Sequence, residues 1–113
     1  MINVTIYQNS RDVYCGFRME GHAEYAEYGS DIVCSAVSVL VINTMNSIEK
    51  FTEDKFEGAV HQEKDVVSFN LLSNPVSASA ELLLNSLVLG LEGVQSEYGK
   101  KYIKIKYKRK QEV

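Results

Sequence analysis

A histidine and a cysteine stand twelve residues apart in "GHAEYAEYGSDIVCSAVS", residues 21–38, in a chain that holds only two of each. A cysteine thiolate is a strong nucleophile. A histidine within reach can take the thiol proton and later hand it to a leaving amine, the division of labour in cysteine peptidases. The flanking residues fit that chemistry. Asp31 precedes an apolar run and is suited to cap a helix start. Cys34 would then fall in the first turn, where free backbone N–H groups and the positive end of the helix dipole favour a thiolate and can hold an oxyanion. His22 closes the segment before the loop 23–30, which can fold its imidazole back over the helix start, and Asp31 has a second role open to it, orienting that imidazole. Ser38 lies one turn beyond Cys34 on the same face and can support the thiol, although a helical serine often bonds only its own backbone. His61 is a weaker base candidate, because nothing in the sequence gives it a partner. Each residue also has a plain alternative: cysteine commonly fills apolar space, and a histidine at a strand end is commonly solvated. A metal site is not expected, since the histidines and cysteines form no local ligand pair.

These residues need elements to hold them. Ile2, Val4 and Ile6 alternate in "INVTIY", and Val13, Cys15, Phe17 and Met19 alternate in "DVYCGFRME", which predicts two strands joined at "QNSR". Residues 22–30 show no period and are expected to be loop. From Ile32 to about Lys50 the chain is apolar on most sides; its length without a turn signal argues for helix over strand. Such a helix must be covered on most sides, by a second helix or a partner subunit. "KFEGAVHQ" and "VVSFNLL" predict a hairpin turning at "EKD". Asn74-Pro75 marks a second helix start, Leu83, Leu84, Leu87, Leu91, Val94 and Tyr98 give it a core stripe, and Gly99 its stop. Ile103, Ile105 and Tyr107 then alternate with Lys104, Lys106 and Lys108, the period of a last strand. The expected fold is α+β in two layers: a small mixed or antiparallel sheet packed with two helices, in the order β-β-α-β-β-α-β.

A length of 113 residues suits one domain, residues 1–113. Composition is that of a folded soluble protein, with 45% hydrophobic and 24% charged residues. The N-terminus lacks the pattern of a signal peptide, and "DIVCSAVSVLVINTM" is too short to span a bilayer, so a cytoplasmic protein with free thiols and no membrane partner is expected. The net charge of −3 hides an asymmetry: residues 1–99 carry five Lys and Arg against fourteen Asp and Glu, whereas residues 100–113 carry seven against one. Because the lysines alternate with apolar residues, they are expected on the wet face of a strand, where they also discourage edge pairing. Direct nucleic-acid binding is not expected. The alternative is a non-catalytic ribosome- or RNA-associated module that uses this basic strand.

The segment 21–38 resembles the ribosomal-processing cysteine protease (Prp) family of bacteria. The family signature runs glycine-histidine-alanine, a variable loop, glycine, one residue, aspartate-isoleucine-valine-cysteine, small residues and serine. It falls on Gly21, His22, Ala23, Gly29, Asp31, Ile32, Val33, Cys34, Ala36 and Ser38, and Ser35 stands where the family commonly has alanine. The resemblance implies a cytoplasmic cysteine endopeptidase, a homodimer without cofactor, with Cys34 as nucleophile and His22 as general base. Its implied substrate is the precursor of ribosomal large-subunit protein twenty-seven, whose short N-terminal extension ends in two aromatic residues before the cut. Residues 23–30 are then expected to act as a lid hinged at Gly21 and Gly29, with Tyr25 and Tyr28 closing over those aromatic side chains.

Overall fold

The computed structural model describes residues 1–21, 28–61 and 65–110, with the backbone alone at 28–31. Seven elements follow in the expected order: β1 (Ile2–Gln8), β2 (Tyr14–Glu20), α1 (Tyr28–Phe51), β3 (Phe56–His61), β4 (Val66–Leu71), α2 (Ala78–Tyr98) and β5 (Ile103–Arg109). The strands form one mixed sheet in the order β3-β4-β2-β1-β5. All pairings are antiparallel except β1 with β5, which is parallel because α2 crosses over between β4 and β5.

Strand alternation divides the sheet into a dry and a wet face. Ile2, Val4, Ile6, Phe17, Met19, Val67, Phe69, Leu71 and Ile103 turn to one face and form a single core with both helices. Phe69 sits at its centre, fully buried, with its ring 5.3 Å from that of Phe17 and 5.2 Å from that of Phe56. Asn3, Thr5, Arg18 and Ser68 turn to the other face, away from α1 and α2. A bulge interrupts the pairing of β1 with β2 at Cys15, where the register shifts from Tyr7 opposite Gly16 to Gln8 opposite Tyr14. The Cys15 thiol donates to the Tyr7 carbonyl at 3.6 Å.

Three sequence expectations need correction. Helix α1 begins at Tyr28, so residues 28–30 are helix rather than loop, and Asp31 is its fourth residue rather than its N-cap. At 24 residues α1 is also long and apolar enough to cross a bilayer, so length does not exclude a span. What places it in the core is a stripe of Val33, Val37, Val41 and Ile48, all fully buried against the sheet and α2. Finally, α2 starts at Ala78, after Pro75. The capping side chain decides this: the Ser77 hydroxyl accepts from the Ala80 N–H at 3.1 Å, while the Ser77 N–H donates to Asp54 Oδ2 at 2.9 Å. Gly99 ends the helix as expected, at φ 105°, which favours glycine.

Asp54 thus ties the end of α1 to the start of α2. Burial raises its carboxyl pKa, but hydrogen bonds from Ser77 and Thr52 outweigh that and hold it below the ordinary 3.8. A depressed folded-state pKa contributes stability that is present above the unfolded value and lost as pH falls through the folded one. Urea midpoints are therefore expected to fall more steeply between pH 6 and pH 3 in the wild type than in Asp54→Asn. Parallel declines in the two proteins would show that this carboxylate does not couple the helices.

Candidate active site

The sheet register builds the site. Glu20, the last residue of β2, pairs with Val66, the first of β4, which in turn pairs with His61, the last of β3. The ends of β2 and β3 and the start of β4 therefore lie in one row. The Gly21 N–H donates to the Asp65 carbonyl at 3.1 Å and fastens the approach to β4 to the end of β2. Gly21 has φ 93°, and a Cβ there would collide with the Met1 carbonyl oxygen, so glycine is required on two grounds. Asp65 also has a positive φ of 51°, a conformation aspartate tolerates better than most residues.

Helix α1 crosses over this corner and presents Cys34 and Ser38, four residues apart on one face. Both are half-buried and line a cavity of about 190 Å³ with Met19, Gly21, Val60, His61, Asp65, Val66 and Val67. Its lining is mostly apolar, with Cys34 and Ser38 on the helix side and His61 and Asp65 at the strand ends. That is the composition of a site that admits an apolar side chain next to a reacting group.

Several expected site residues fall elsewhere. His22 and Tyr25 lie outside the described residues, as do the contacts of a lid over 23–27. Tyr28 and Gly29 open α1, so Gly29 is part of a helical turn and not a loop hinge. The earlier helix start also moves Cys34 into the second turn. Its own N–H is then committed to the helix ladder, and the free N–H groups belong to Tyr28, Gly29 and Ser30. Oxyanion support from the turn that bears Cys34 is thereby ruled out. Side chains on a helix lean toward its N-terminus, so Cys34 still points toward those amides, from one turn away. His61 and Asp65 border the same cavity: the β2–β4–β3 order brings the end of β3 and the start of β4 beside Gly21, and only long-range pairing, invisible in local periodicity, could have revealed it.

The two cysteines differ in access. Cys15 is 3% exposed and faces a carbonyl, whereas Cys34 opens onto the cavity. Iodoacetamide is expected to label Cys34 at least tenfold faster than Cys15, measured by peptide mass after timed quenching; about tenfold is a modest contrast for a buried against an accessible thiol. Equal rates would contradict the assignment of Cys34 as the accessible thiol.

With this geometry in place, comparison with known proteins is informative over nearly the whole chain. The family model described as Cysteine protease Prp matches residues 1–104. The chain is 28% identical over 109 residues to the ribosomal processing cysteine protease Prp of Staphylococcus aureus, covering 96% of this chain and 100% of that one. It is 28% identical over 103 residues to its namesake in Bacillus subtilis, covering 87% and 90%. The fold is similar to that of the S. aureus protease crystallised with a covalently linked product peptide, with a TM-score of 0.83, 26% identity and coverage of 95% and 99%. It is equally similar to a Streptococcus mutans protein, with a TM-score of 0.83 and 25% identity.

Proposed function

The chain belongs to the cysteine protease Prp family, and on that premise we propose that it removes the short N-terminal extension of ribosomal large-subunit protein twenty-seven in the bacterial cytoplasm, with Cys34 as nucleophile and His22 as general base. The family match makes the chain a ribosomal-processing cysteine protease rather than a non-catalytic module. The observation that carries the residue assignment is the cavity at Cys34, with the half-buried cysteine in a mostly apolar lining. The processing role is supported by the names of the relatives, and by the S. aureus protease having been crystallised with a substrate peptide.

In this account the Cys34 sulfur attacks the scissile carbonyl carbon while His22 receives the thiol proton. The carbon–nitrogen bond breaks, His22 passes the proton to the departing amine, and a thioester remains on Cys34. Water, deprotonated by His22, then hydrolyses the thioester and restores the thiol. Asp31, one turn before Cys34 on α1, takes the orienting role rather than the capping one. Ser38 supports the thiol from the next turn, and Gly21 borders the peptide site with its backbone. Tyr25, Tyr28 and Gly29 bind the peptide, the last two from the first turn of α1.

Exposed apolar side chains on the two helices, Val39 and Ile42 on α1 and Leu89 on α2, support the homodimer. Incubation with the extended ribosomal protein is expected to give two products whose masses sum to the precursor plus one water, from a cut after an aromatic residue. A precursor left intact by active protein would overturn the substrate assignment, and a cut elsewhere would overturn the specificity.

A further inference from the structure

We propose that the open face of the sheet along the β1–β5 edge is an RNA-docking surface, separate from the peptide site. Strand β5 is an edge strand. Its register against β1 pairs Asn3 with Lys104, Thr5 with Lys106 and Tyr7 with Lys108, while Ile103 and Ile105 turn to the core. The three lysines therefore stand in one row on the wet face, at intervals of roughly 6.6 Å, twice the rise of a parallel strand. That interval is close to the separation of neighbouring phosphates along a nucleic-acid strand.

The neighbouring charges leave this row free. Arg18, beside Thr5 on β2, pairs with Glu20 at 3.5 Å. Arg109 pairs with Asp12 and donates to the Asn9 carbonyl at 2.7 Å. Among the described residues no salt bridge engages Lys104, Lys106 or Lys108, and all three are exposed. Glu20 and Glu57 are the acidic groups on the same face, one spent on Arg18 and the other at the far edge on β3. Residues 1–99 carry an excess of nine negative charges, so a polyanion is repelled by the body of the protein and held at this edge alone.

Charge complementarity selects a polyanion, and the side chains between the lysines select RNA among polyanions. Asn3, Thr5 and Tyr7 are half-buried hydrogen-bonding groups that suit phosphate and ribose oxygens, and Tyr7 adds a ring on which a base can stack. No apolar wedge of the kind a membrane surface requires accompanies them. Edge protection would also place lysines on β5, but it confers no affinity for RNA, so binding separates the two roles.

The test is fluorescence anisotropy of a fluorescein-labelled oligouridine with the wild type, with the triple variant Lys104→Gln/Lys106→Gln/Lys108→Gln, and with the corresponding triple arginine variant. Each phosphate contact contributes about −0.7 to the slope of log affinity against log salt on a single strand, so loss of three contacts is expected to flatten that slope by about 2 and to weaken binding tenfold or more near ~50 mM salt. The arginine variant is expected to bind as the wild type does. Circular dichroism verifies the fold of each variant, and cleavage of a short substrate peptide is expected to be unchanged in all three, which keeps this result independent of the proposed substrate. Absence of RNA binding by the wild type near ~50 mM salt, or an unaltered slope in the glutamine variant, would overturn the proposal. Displacement of the RNA by polyglutamate as effectively as by unlabelled RNA would transfer the surface to an acidic protein and overturn it equally.

Discussion

Replacement of Cys34 by alanine is expected to lower peptide-bond turnover on the order of 10⁴-fold or more, with substrate affinity retained within a few-fold. The thiol forms the covalent bond through which the reaction runs, so without it the remaining groups can only position the peptide and polarise its carbonyl. Alanine keeps the helix, being its best former, and removes one sulfur at the cavity wall, where Cys34 is half-buried and Val33 and Val37 carry the packing. The fold should therefore survive, and the variant should serve as a trap for uncut substrate. Activity in Cys34→Ala within tenfold of wild type would show that the nucleophile lies elsewhere. Cys15 is a poor substitute, being buried with its thiol on the Tyr7 carbonyl.

Substitution of His22 by alanine is expected to lower kcat on the order of 10²–10⁴-fold, the range for loss of a positioned acid–base group. His61→Ala supplies the contrast. His61 borders the same cavity at the end of β3, so its replacement is expected to shift KM by a few-fold and to leave the shape of the pH profile intact. The wild-type profile of kcat/KM is expected to be a bell whose two limbs belong to the thiol and imidazole as a pair. In His22→Ala the bell should give way to a rate that climbs with pH as hydroxide replaces the missing base. A bell that survives in His22→Ala and disappears in His61→Ala would transfer the base to the hairpin.

That second histidine marks where the sequence stopped being legible. Periodicity located all seven elements, because strand alternation and a helical stripe are imprinted residue by residue: Ile2, Val4 and Ile6 on β1, and Leu84, Leu87 and Leu91 on α2, occupy the buried positions their spacing predicts. It failed at helix starts. Proline at 75 signals a start as well as serine at 77 does, and only the Asp54 contact from the end of α1 makes Ser77 the cap. At α1 the polar composition of 28–31 hid a helical turn behind an attractive capping residue. Cys34 and Ser38 were legible as neighbours because helical spacing alone brings them together. The place of His61 and Asp65 at the border of that cavity was not, since it depends on β4 pairing with β2 rather than with β1, a choice that no local pattern encodes. The parallel pairing of β1 with β5 has the same origin, and it converts a basic stretch of sequence into an ordered row of lysines.

The most direct test of the central claim is to find the covalent intermediate. Wild-type protein mixed with extended ribosomal substrate, quenched in acid at the earliest accessible times and digested, should carry the N-terminal extension as a thioester on the peptide containing Cys34. The adduct should release that extension on treatment with hydroxylamine and should be absent from His22→Ala quenched at the same times. Cleavage that proceeds at full rate with no acyl group on Cys34, or with the acyl group on Cys15, would contradict the account.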